Sequence, residues 1–258
     1  MSCGPLTPVF WQRQPKLPMP VFRFLGDRIH AALAEPRDRA LLVWPMLLGA
    51  PKLRADHPGG IPEPVLLAQA AGMLWALGVR DPAAAWAEAR ERFPDTADLG
   101  ATGWVAQRVW DPLAALVSLR LGVALLALQG QPEDDRYGLA AGVALFNTAL
   151  FHECHDALEP LWVSADGPLK AGLQGLIMLA GGFHHHQLHN ARGMISLWQD
   201  ALRLLADGDP VLATPWGRVD PSGALASARE RLAWLADFDG EMDLAPLWNF
   251  SRPTLELP

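Results

Sequence analysis

Strand-like alternation is almost missing from this chain, and so are lysine, cysteine and any run of basic residues. Each absence excludes something. Without a period of two along the chain, a β-sandwich or barrel has no pattern to build on. Lysine occurs only at Lys16, Lys52 and Lys170, and the net charge is −7. A nucleic acid or an anionic membrane surface needs a concentrated positive footprint, so neither is an expected partner. The two cysteines, Cys3 in a Pro-rich start and Cys154 inside a helical pattern, make no disulfide framework. A reducing, cytoplasmic setting is the expectation. Uncharged apolar stretches such as 64–79 fall short of the ~20 residues a membrane helix needs. Pro5, Pro8, Pro15, Pro18 and Pro20 interrupt any signal-like segment at the start, so a soluble protein is expected.

What is present is helical. Half of the 258 residues are hydrophobic, rich in Ala and Leu, which suffices for one sizeable core or a core with a smaller helical partner. After an irregular arm over residues 1–20, periodicity predicts helices at about 21–34, 37–49, 62–78, 82–93 and 112–129. Asp81-Pro82 and Asp111-Pro112 read as a cap followed by a first helical residue. Loops are expected at 51–62, 93–103 and 129–135. The second half predicts helices at about 136–163, 169–189, 190–206 and 221–238. An irregular link runs from Asp207 to Asp220, and an extended tail begins at Gly240. The expected fold is therefore all-α: a C-terminal bundle of about five helices with an N-terminal helical region packed on it, as a monomer or homodimer. The expected domains are 1–110, 111–240 and a tail of 241–258. The eleven tryptophans are read as filling helix seams.

Six of the eight histidines fall between His152 and His189. At about 100° per residue, His152, His155, Asp156 and Glu159 share one helix face, with Glu153 flanking it. In the next helix Gln174, Met178, Gly181, His185 and His189 form a second stripe, while His184 and His186 point elsewhere. A short loop at 164–168 makes these helices antiparallel neighbours, so the two stripes can meet at one level. The favoured reading is a hydrogen-bonded His/carboxylate layer, with or without a small-molecule ligand pocket. The alternative is a divalent metal held by His155, Glu159 and His185, with His152 and His189 as further ligands and Glu153 or Asp156 as base. That would make the chain a metal-dependent hydrolase or related enzyme. A solvated polar face is the third reading. His152-Glu-Cys-His155-Asp156 departs from the zinc-protease spacing, because Asp156 stands where the second His belongs. Cys154 is read as a small core residue. Asn190 is read as a helix cap and Gly193 as a close-packing position; an anion contact by Arg192 at that helix start is the lesser alternative.

Several of these spacings occur together in a known family. Phe146-Asn147, then Phe151-His-Glu153-Cys-His155-Asp156-Ala-Leu158-Glu159-Pro-Leu161-Trp162, resembles the family called domain of unknown function 309 (DUF309). The second block, Leu173-Gln174-Gly175-Leu176-Ile177-Met178-Leu179-Ala180 with His185 and Asn190-Ala-Arg-Gly193, resembles it as well. The resemblance covers about 136–238. Asp156 replaces a Glu of the family pattern, and His152 and His189 are additions to it. The shared core is Glu153, His155, Asp156, Glu159, Gln174 and His185. The resemblance implies an all-α bundle and no particular activity; residues 1 to about 110 resemble nothing recognised.

Overall fold

The helical periodicity becomes eleven α-helices among the described residues, with one two-stranded hairpin. The structure is a computed structural model and describes residues 10–92, 113–205 and 211–258. The chain is all-α. Its contacts group into two compact units, residues 17–129 and residues 130–258 with the arm that ends at Lys16.

The first unit contains α1 (Met19–Ala34), a 3-10 segment (Pro36–Leu42), α2 (Val43–Leu48), α3 (Pro51–Asp56), α4 (Glu63–Ala76), α5 (Pro82–Arg92) and α6 (Ala114–Leu128). Proline stands in the first turn of α1, α3 and α4, where its missing N–H costs no helical hydrogen bond. Asp81 caps α5 as expected, its Oδ1 accepting from Ala84 N at 3.0 Å. Helix α2 packs on α4 and α6. Gly49 permits the second contact, since a Cβ there would lie 2.6 Å from the Ala114 carbonyl. Ser118 Oγ donates to Met46 O at 2.6 Å across the same seam. The helix expected at 37–49 begins as a 3-10 segment, and the loop expected at 51–62 contains α3. The expected break at 93–103 and the Asp111-Pro112 cap lie outside the described residues.

The second unit contains α7 (Tyr137–Asn147), α8 (Phe151–Ser164), α9 (Gly167–Gln187), α10 (Ala191–Leu205), the hairpin β1 (Leu212–Thr214) and β2 (Gly217–Val219), and α11 (Ser222–Trp234). Helix α8 packs between α7 and α9, and α9 against α10. On α9, Gly182 makes room for α10: a Cβ there would lie 2.3 Å from the Trp198 ring.

The single helix expected over 136–163 is two helices. Leu150 N donates to Leu145 O and Ala149 N to Phe146 O, the paired bonds of a Schellman turn. Its left-handed position is Ala149, with φ 62°, where glycine is usual. Gln187 explains how the turn persists: its buried Nε2 donates to Ala149 O at 2.8 Å and to Phe10 O at 3.0 Å. The α9–α10 corner repeats the device, with His189 at φ 54° and Asn190 N donating to His185 O.

The tail is held at both ends of its path. Asn147, part of the Phe-Asn pair, donates to Leu255 O at 2.8 Å and accepts from Leu255 N at 2.9 Å. Arg231, fully buried on α11, donates to the carbonyls of Ser227, Leu247 and Ser251. The tail expected as extended thus includes a 3-10 turn, Ala245–Asn249.

Candidate functional site

Helix α8 places imidazoles at i and i+3 and a carboxylate at i+4 on one face. Asp156 Oδ1 lies 3.1 Å from His155 Nδ1 and 3.4 Å from His152 Nδ1. One ligand atom from each of the three lies within 4.8 Å of the others. All three side chains are part-buried, between 26% and 38% exposed, so the group is neither sealed in the core nor free in solvent. On the opposite side of α8, Phe151, Cys154 and Leu158 are buried and anchor the helix.

The electrostatics follow from one carboxylate facing two rings. Burial works against a charged His152, but the hydrogen bond and charge of Asp156, with the charge of Glu153, outweigh it and raise its pKa. Burial likewise opposes a charged Asp156, yet the two imidazoles hold the carboxyl well below the usual range. Cys154 is fully buried beside these acids, and its thiol is pushed far up, so it is no nucleophile.

The neighbouring helix supplies a different histidine from the one expected. The His184 ring centroid lies 5.3 Å from that of His152. His185 turns toward the start of α10: Asn190 Oδ1 accepts from Gly193 N, which aims Asn190 Nδ2 at His185 Nδ1, 2.9 Å away. Gly193 makes room for this, since a Cβ there would sit 2.5 Å from the His185 ring. His189 accepts from Trp248 Nε1 at 2.9 Å. Glu159 is exposed, and Gln174 is half-buried about three turns before His185. Glu153 is buried, only 5% exposed. Of the residues picked from the sequence, the structure therefore brings His152, His155 and Asp156 together, with Glu153 close behind. Glu159 stays exposed, and His185 and His189 take Asn190 and Trp248 as partners.

A second histidine neighbourhood was not visible in the sequence. His186 is fully buried, and neither ring nitrogen has a hydrogen-bond partner. It stacks on Trp248 at 4.1 Å and meets Trp11 at 5.4 Å and Trp198 at 6.3 Å. Burial, then the charges of Arg231 and His189, push its pKa down to about 3. Trp11 comes from the N-terminal arm and Trp248 from the tail, so no periodicity along α9 could have found this layer.

Residues 139–197 match the model of the family described as Domain of unknown function (DUF309). The DUF309 match covers most of α7, all of α8 and α9 and the start of α10. Every member of the His152–His155–Asp156 group lies inside it, as do His184 and Asn190. No curated protein and no solved structure matches the chain. Among the described residues no helix is long and apolar enough to cross a membrane.

Proposed function

We propose that His152, His155 and Asp156 form an open divalent-metal centre on the DUF309-like bundle, with His184 as the nearest further imidazole. The observation that carries this reading is the spacing. Neighbouring ligands of a tetrahedral ion with bonds near 2.1 Å lie about 3.4 Å apart. Asp156 Oδ1 stands 3.1 and 3.4 Å from the two ring nitrogens. Two imidazoles and one carboxylate suit Zn²⁺ and its first-row neighbours, and three protein ligands leave a position for water. Metal-assisted hydrolysis is the reaction class such a set supports, because the ion lowers the pKa of its bound water. Glu153 supplies negative charge behind the ligands.

A second reading rests on the 3.1 Å His155–Asp156 hydrogen bond: the same groups form a polar layer that binds no ion. Calorimetric titration of protein lacking a His-tag with Zn²⁺ and Mn²⁺ separates the two. The metal centre predicts about one site per chain, with protons released because the imidazoles must be neutral to ligate. His155→Ala and Asp156→Asn should each weaken it at least about tenfold. Heats equal to dilution for both ions would leave the polar layer as the answer.

A further inference from the structure

The arm that carries Trp11 also forms one wall of a cleft of about 670 Å³. Arg13, Gln14 and Lys16 line it from the arm, and His185, Leu188 and Asn190 from the α9–α10 corner. The wall is fixed, not draped: Gln14 N donates to Gln187 O at 2.7 Å, tying the arm to the end of α9. Arg13 and Lys16 flank that tie on either side. In a chain of net charge −7, the described residues that line this cleft include two cations, Arg13 and Lys16, and no carboxylate.

His185 adds a donor of defined tautomer. Gly193 N–H fixes Asn190 Oδ1, so Asn190 Nδ2 donates to His185 Nδ1. The neutral ring then carries its proton on Nε2. A guanidinium fork, an ammonium and a neutral N–H form a donor set that suits a tetrahedral oxyanion better than a flat carboxylate. The volume is that of a small-molecule site and exceeds what a bare phosphate needs, and Leu188 offers an apolar surface for the remainder. We infer that this cleft binds a small phosphate monoester, with Arg13 and Lys16 on the phosphoryl group and His185 donating to it. Arg192, the sequence's own candidate for an anion contact, is not among the residues lining the cleft.

The test uses the full chain without a His-tag, in EDTA. Melting temperature is followed against inorganic phosphate, phenyl phosphate and acetate, each balanced with NaCl to equal ionic strength. Both phosphates should raise it beyond NaCl and acetate, with phenyl phosphate effective at the lower concentration. Arg13 and Lys16 are exposed, so the R13Q/K16Q double variant should melt like the parent without ligand. It should bind phosphate roughly tenfold more weakly, as expected for two lost charge contacts. No phosphate effect beyond NaCl, acetate equal to phosphate, or an undiminished response in R13Q/K16Q would each overturn the inference. Since EDTA removes metal, a phosphate response in a protein that fails to bind Zn²⁺ sinks the metal centre and leaves the cleft. Zn²⁺ binding without a phosphate response does the reverse.

Discussion

Two histidine neighbourhoods lie in one helical unit and have opposite chemistry. Around His152 the partners are acids, and the ring is held toward its charged form. Around His186 they are Trp11, Trp198 and Trp248, and the ring is held neutral. His184 and His186 are two residues apart on α9, yet one faces the His152 ring and the other is sealed under aromatic rings. The identity of the residue decides little; what packs on that face of the helix decides whether an imidazole is a ligand, a base or a core ring.

The largest expected effect comes from the dry neighbourhood. Unfolded, His186 takes a proton near pH 6.5; folded, only near pH 3. Its contribution is fully present above pH 6.5 and is lost as pH falls toward 3, by on the order of 4 kcal/mol over that span. His186→Phe removes both unpartnered nitrogens and should abolish this part of the acid sensitivity while leaving stability at pH 7 unchanged or higher. Urea unfolding at pH 7 and pH 4 measures it. A variant clearly weaker at pH 7, with the parent's acid slope, would show that the ring is satisfied in the native state.

Gln187 is next. It joins the arm to the α7–α8 turn through Phe10 O and Ala149 O, so Gln187→Ala takes the side-chain donor from Ala149 O, while Phe10 O keeps Gln12 N at 2.8 Å. A loss of about 2 kcal/mol is expected. Proteolysis should also become faster at the arm, where Gln14 N loses nothing but its neighbour is freed. Unchanged cleavage there would mean that the backbone bond alone holds the strap.

The wet neighbourhood gives a smaller effect with a distinct pH signature. Asp156's lowered pKa contributes above about pH 4 and is lost as pH falls through its folded value. His152's raised pKa contributes below about pH 6.5 and is lost as pH rises through its folded value. The stability difference between the parent and Asp156→Asn should therefore peak near pH 5, at about 1 kcal/mol after solvent screening, and shrink on both sides. A difference that grows steadily toward pH 8 would contradict the pairing.

The smallest effect concerns strain. Ala149→Gly relieves a left-handed φ and should stabilise by about 0.5 kcal/mol, the relief being partly offset by glycine's greater freedom when unfolded. A melting curve shifted downward would show that the Ala149 methyl packs more favourably than the turn is strained.

How much of this was legible follows from which contacts are local. The period of 3.6 put His152, His155 and Asp156 on one face of α8, and those residues do meet. The same wheel added Glu159, which is exposed, because a helical wheel ignores distance along the axis and where the neighbouring helix ends. It also chose His185 over His184. The face that α9 shows to α8 is set by the α10 packing at Gly182 and Trp198 and by the Asn190–Gly193 corner, and none of these is encoded in the spacing of α9 itself. The break at Ala149 was invisible because alanine signals helix; its cause is Gln187, 38 residues away. Asn147 was noticed as half of a Phe-Asn motif, but its role as the clamp on Leu255 spans 108 residues.

The most direct test of the contrast is the protonation of the imidazoles themselves, read by nitrogen-15 NMR of the histidine rings as pH is varied and Zn²⁺ is then added. His152 should titrate above pH 6.5, and His186 should stay neutral down to about pH 3. Zn²⁺ should move the nitrogen signals of His152 and His155 and leave that of His186 unchanged. A His186 that titrates near 6.5, or a Zn²⁺ response that spares His152 and His155, would contradict the division into an acid-paired neighbourhood, proposed to take a metal, and a dry one.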